Sequence, residues 1–198
     1  MSPIPQRRFQ DYVQRFHELE AAGGLESARN RKWSRSAVAQ ELLGEDVLEH
    51  ITIEQAEEMY RCLPISQSKR KDFLSNPLQE IRECLWFLLY EEAPYEIRVW
   101  ESLDDMGGYR LSGGSQALVA ALFCTNDPAL FGLVNARVER ALRILGVVPQ
   151  FNRNESQAGR FQKLQEALWW VRSMAGLEDF RVADDFLEAL AAGKLEGK

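Results

Sequence analysis

Apolar residues recur along this chain at intervals of three and four, and that spacing predicts a succession of amphipathic helices. The first spans about Gln6 to Ala22, with Phe9, Tyr12, Val13, Phe16 and Leu19 on one face and Gly23-Gly24 as its stop. Residues 25–32 form a basic lead-in, irregular or helical, to a second helix, about 35–43, that ends at Gly44. Thr52 and Gln55 have the spacing of a capping box and open a helix to about Leu63. Asn76 followed by Pro77 reads as an N-cap with proline at the first helical position, leading an apolar helix to about Glu91. Pro94 opens the next helix, to about Asp104. The glycine-dense segment MGGYRLSGGS then precedes a helix at 115–124 that is apolar on nearly every side and is therefore expected at the centre of a bundle. Asp127-Pro128 suggests a short helical turn. Further helices follow at 136–145, 156–174 and 182–192, the first of them capped by Asn135.

Composition agrees with this pattern. Val, Ile and Thr total 20 residues against 45 for Leu plus Ala, which disfavours sheets and predicts an all-α bundle. The 198 residues suffice for one domain, or for two closely packed parts, 1–63 and 72–192. No apolar run is long enough for a membrane span, and MSPIPQRRF lacks the apolar stretch of a signal segment, so a cytoplasmic protein of bacterial type is expected, with no membrane partner. Cys62, Cys84 and Cys124 form no CxxC pair and read as small core residues. With only His17 and His50 besides, no metal and no cofactor are expected.

The net charge of −6 argues against a uniformly basic nucleic-acid binder. The charge is uneven, however. Residues 1–36 carry seven basic and four acidic side chains, and 133–172 carry seven and three, whereas 85–132 carry two and seven. Helix 136–145 puts Val138, Ala141, Leu142 and Leu145 on one side and Arg137, Arg140 and Arg143 on the other. Those arginines either track phosphates or line a solvated face. Arg153, Arg160, Lys163 and the N-terminal Arg29, Arg31, Lys32 and Arg35 either extend the patch or pair with the acidic stretch 85–105. In LSGGS, the backbone N–H groups of Gly113, Gly114 and Ser115 stand at a helix N-terminus. That arrangement is either an anion site or a plain tight turn. Of Trp169-Trp170 one ring belongs in the core and the other at the surface, while Trp33, Trp86 and Trp100 read as core.

Leu111, Ser112, Gly113, Gly114 and Ser115 stand where the helix-hairpin-helix DNA glycosylases carry roughly L-P-G-[IV]-G before an Ala-rich helix, and the segment resembles that superfamily. Val134 to Leu142 resembles its V-D-x-x-V-x-R-x-L stretch, with Asn135 at the position of the catalytic Asp and Ala117 at that of the Lys of bifunctional members. Asn cannot act as a general base, so glycosylase chemistry is not expected. A second resemblance covers about residues 72–190. Tyr109, Leu111 and Gly113, then Asp127, Pro128, Phe131, Gly132, Asn135, Ala141, Leu142, Leu145 and Gly146, are similar to helical modules of bacterial restriction and defence proteins found beside McrB-like AAA+ ATPases. The resemblance implies a helix-hairpin-helix core and a DNA-binding module, sensitive to modified bases, of a restriction or antiviral system. It implies DNA and an AAA+ ATPase or nuclease as partners. The residues implied in DNA contact are Ser112, Gly113, Gly114, Ser115, Asn135, Arg137, Arg140 and Arg143. The chain has no P-loop of its own. Two alternatives remain open: a helical protein–protein adaptor, and a divergent glycosylase that uses another carboxylate. A positive surface joining the hairpin to Arg137 favours DNA binding, an exposed apolar patch favours the adaptor, and a pocket with a carboxylate beside Asn135 favours the enzyme.

Overall fold

In a computed structural model of the protein, residues 3–196 are described; Met1 and Ser2, which open the segment MSPIPQRRF read above, and Gly197 and Lys198 lie outside them. The described residues form eleven helices and no strand, as the composition predicts. In chain order these are α1 (Gln6–Ala21), α2 (Glu26–Leu42), α3 (Glu45–Leu48), α4 (Ile53–Cys62), α5 (Arg70–Leu74), α6 (Leu78–Tyr90), α7 (Tyr95–Leu103), α8 (Gln116–Asn126), α9 (Ala136–Ile144), α10 (Gln157–Ala175) and α11 (Phe180–Ala191).

α8 is the central element: every side chain from Leu118 to Thr125 is buried. α1 closes the other end of the core against α10 and α11. Phe9 meets Trp170 edge-on and Phe16 meets Phe186 in the same way, with centroids 5.5 and 5.4 Å apart. Buried residues from Phe9 to Leu195 belong to one continuous cluster.

Several local signals act as their chemistry requires. Thr52 and Gln55 form the reciprocal capping box on α4. Asn135 Oδ1 accepts from the N–H groups of Arg137 and Val138 and caps α9. Others differ from expectation. α2 takes in the lead-in at 26–34, because nothing there breaks a helix. Asp127-Pro128 makes a hydrogen-bonded turn rather than a helix. Asn76 does not cap α6, which starts at Leu78: its amide donates back to the Phe73 carbonyl at the end of α5 at 2.7 Å and clamps Ser112, accepting from its N–H at 2.9 Å and donating to its carbonyl at 3.1 Å. Trp100 is 39% exposed, on the outer side of α7 with Ile97, and is not a core residue.

Candidate nucleic-acid interface

The hairpin is built from inside. Gly113 has φ +76°, and a Cβ there would lie 2.8 Å from the Phe73 nitrogen and 2.9 Å from the Lys69 carbonyl. The glycine therefore lets the hairpin pack on the start of α5; the close approach it permits is to protein backbone. The expectation of free N–H groups at Gly113, Gly114 and Ser115 is corrected in part. The Gly114 N–H is spent on the Leu111 carbonyl at 2.9 Å. Ser115 Oγ in turn accepts from the Leu118 N–H at 3.2 Å. Among the described residues nothing accepts from the N–H groups of Gly113 and Ser115, nor from those of Gln116 and Ala117 in the first turn, so the open donors run from the hairpin into α8.

Two open grooves meet at this point, and both are lined by Ala117 and Asn135. The N-terminal groove, about 700 Å³, runs between α2, the end of α4 and α9, with Arg31, Lys32, Arg35, Arg61 and Arg137 in its walls. The hairpin groove, about 670 Å³, is lined by Gly114, Ser115 and Gln116 and by Arg110, Arg143 and Arg160. One carboxylate borders each: Glu188 in the first and Glu139 in the second. Arg137, Arg140 and Arg143 are all exposed, as the periodicity of α9 requires, but they fan out rather than form a row. Arg137 faces the first groove, Arg143 the second, and Arg140 an adjoining hollow shared with Arg31 and Arg137. Ser112 and Gly113 line neither groove; they hold the hairpin in place.

The cations of the grooves are restrained to different degrees. Arg137 Nη1 lies 3.1 Å from Glu188, and Arg143 lies 3.4 Å from Glu139 on the next turn. The Arg160 guanidinium sits over the Phe151 ring, 5.6 Å from its centroid. Arg110 pairs with Asp105. Arg35 donates to the Arg61 carbonyl, while Arg61 itself reaches Glu57 and Glu58.

Of Arg29 and Lys32 only Lys32 lines a groove, and neither pairs with the acidic stretch 85–105. They turn inward to α11, where Arg29 pairs with Asp185 at 2.5 Å and Lys32 pairs with Asp184 and, at 3.3 Å, with Glu188. Trp33 also donates to Asp185. Burial, joined by the charges of Glu188 and Asp185, pushes the Asp184 carboxyl up to about 6, more than Lys32 offsets. Asp185 is raised for the same reason against Arg29. For Lys32, burial works to lower the value, but the charges of Asp184 and Glu188 together hold it above the ordinary one.

The sequence reading did not single out Arg61 or Arg110 as groove residues. No local signal marks them, since each joins a groove only through helices distant in the chain. Arg153 lies outside both grooves, and Lys163 is held by Glu155 at 2.6 Å. The described residues hold no group of His, Cys, Asp and Glu able to bind a metal, and no helix is long and apolar enough to cross a membrane. Comparison with models of known families, with curated proteins and with solved structures finds no match to this chain.

Proposed function

We propose that this chain is a DNA-binding module of the helix-hairpin-helix glycosylase-like kind, without glycosylase chemistry, serving a bacterial restriction or defence system beside an AAA+ ATPase or nuclease. One observation carries the reading. The two grooves that meet at Asn135 hold eight cationic side chains against two carboxylates, on a chain whose total charge is −6. Such a concentration attracts a polyanion by releasing its counterions. The open first-turn N–H groups of α8 lie on the ridge between the grooves and suit one phosphate oxygen. Arg137 and Arg143, one in each groove, suit the phosphates to either side.

The residues beside the ridge argue against base excision. Asn135 spends its carbonyl oxygen on capping α9, and Ala117 offers no amine. The carboxylate of the N-terminal groove, Glu188, is held by Lys32 and Arg137 and is not set to take a proton.

The test is anisotropy of labelled duplex DNA, plain and base-modified, across a salt series, with wild type and Arg137→Glu/Arg143→Glu. The double variant is expected to bind about 100-fold more weakly near 0.1 M salt, with a flatter salt dependence. A preference among modified duplexes would identify a sensed base. Absence of binding by folded wild type at about 0.15 M ionic strength would overturn the proposal.

A further inference from the structure

A third groove, about 300 Å³, lies where α6 meets α3 and the loop before the hairpin, and its character is the reverse of the other two. Trp86, Phe87 and Tyr109 supply aromatic surface; Glu49, Glu83 and Glu91 supply carboxylates. The indole N–H of Trp86 is buried, so the ring offers carbon and π surface. Phe87 and Tyr109 are stacked in parallel, with centroids 3.8 Å apart and planes 1° from each other. The loop that carries Tyr109 is held firmly. Gly107 passes so close to α7 that a Cβ would lie 2.2 Å from the Glu101 carbonyl, which also accepts from the Tyr109 N–H at 3.1 Å. The aromatic platform is thus formed before any ligand arrives.

The carboxylates are uncommitted. Among the described residues none of the three pairs with a lysine or an arginine: Glu83 accepts from Gln79, Glu91 accepts from the Glu92 N–H, and Glu49 approaches only His50, at 4.0 Å. The one cation in the wall, Arg82, is turned to the Ile51 carbonyl with two donors at 2.8 and 2.9 Å. Beyond the groove the acidic surface continues through Glu45, Asp46, Glu80 and Glu92, all exposed. Its field reaches Cys84, whose thiol is held at about 12 by burial and by the charges of Glu80 and Glu83.

We propose that this groove receives an arginine side chain from a basic segment of a partner protein, the guanidinium stacked on the Phe87–Tyr109 platform and donating to the carboxylates around it. A planar, weakly hydrated cation fits a flat aromatic surface edged with carboxylates better than a compact ammonium does. Nucleic acid is repelled by the same carboxylates. A segment with several basic residues matches an acidic surface that extends past the groove on both sides.

The probes are fluorescein-labelled GRGRGRG and GKGKGKG, titrated by anisotropy with the full chain at low ionic strength. The arginine peptide is expected to bind about threefold or more tightly than the lysine peptide. Glu83→Lys/Glu91→Lys should weaken it about tenfold or more, and Tyr109→Leu about two- to fivefold. Arg137→Ala/Arg143→Ala, which removes cations from the other grooves, should leave the arginine peptide bound as in wild type. Should the double lysine variant fail to fold, as judged by its unfolding curve, Glu49→Lys on the exposed end of the groove and Tyr109→Leu carry the test. Absence of binding, equal affinity for the two peptides, or indifference to Tyr109→Leu would overturn the proposal. So would self-association without peptide that Glu83→Lys/Glu91→Lys abolishes, which would give the groove to a second copy of the chain.

Discussion

Tyr109 and Arg110 are neighbours in the chain, yet Tyr109 lines a groove edged with carboxylates and Arg110 one edged with guanidinium groups. The contrast lies as much in bonding as in sign. Around Tyr109 the three carboxylates have no lysine or arginine partner among the described residues. Around Asn135 several arginines are partly neutralised and positioned by Glu188, Glu139 and Asp105. A third population, Lys32 and Arg29 with Asp184 and Asp185, is spent on ion pairs within the fold, its carboxylates buried and its cations half-buried. A net charge sums all three, and only the first two bear on binding.

The largest expected effect tests whether the buried population is structural. Asp184 is 2% exposed and one of its oxygens has no partner. Lys32→Met would leave that carboxylate without its principal cation. We expect a loss of about 3–5 kcal/mol in urea unfolding at neutral pH. Because Lys32 is only one wall residue of the N-terminal groove, the DNA affinity of the folded variant should fall less than about tenfold. A loss of stability below about 1 kcal/mol would mean that Lys32 belongs with the binding cations after all.

The same pair sets a pH dependence. Asp184 titrates near 6 in the fold, against 3.8 ordinarily, so the folded chain keeps a proton that the unfolded chain has released. Its contribution to stability is complete below about pH 3.8 and is lost as pH rises toward 6; it amounts to about 3 kcal/mol. Lys32, held above its ordinary value, loses its contribution only in the alkaline range and does not mask this fall. Unfolding free energies of wild type relative to Asp184→Asn should decline between pH 4 and 6 and flatten above. A difference that stays level would show that Lys32 keeps Asp184 ionised throughout.

What was legible in the sequence is what local geometry decides. The apolar surround of α8, the exposed arginines of α9, the Thr52–Gln55 box and the Asn135 cap all follow from spacing within one or two turns. What was not legible depends on partners far along the chain. Asn76 has the signature of an N-cap, but its side chain closes the end of α5 and reaches Ser112, 36 residues on. Whether Arg29 and Lys32 face a groove or the core is decided by α11, some 150 residues away. At the hairpin the anion site and the tight turn stayed open alternatives because a positive φ and close approach serve a ligand or a helix equally, and only the packing of α5 shows what Gly113 itself approaches.

Gly113→Ala tests that last distinction and should have an intermediate effect. The left-handed backbone and the contacts with Lys69 and Phe73 together predict a loss of about 1–3 kcal/mol, seen as a lower unfolding midpoint. DNA binding by the folded variant should change little, because a methyl group at Gly113 leaves the N–H groups of Ser115, Gln116 and Ala117 open. Unchanged stability with abolished binding would instead return the phosphate site to the glycines. In either case the arginine peptide serves as a control, since the Tyr109 platform rests on α7 and not on α5.

The smallest effect runs in the opposite direction and bears most directly on the two kinds of groove. Among the described residues Glu188 is the only carboxylate in the wall of the N-terminal groove, with its Oε1 3.1 Å from Arg137 and 3.3 Å from Lys32. Glu188→Gln keeps the shape and a hydrogen-bond acceptor, leaves Lys32 paired with Asp184, and frees the charge of Arg137. A partly exposed ion pair of this sort amounts to about 0.2–1 kcal/mol, so DNA should bind up to about fivefold more tightly. The salt dependence should steepen by about one counterion, because one more cation then faces phosphate alone. The arginine peptide should bind unchanged, since Glu188 does not line the acidic groove. If DNA binds more weakly instead, Glu188 is positioning Arg137 rather than restraining it. The grooves would then differ in kind as well as charge, one depending on ion pairs made in advance and the other on carboxylates left open.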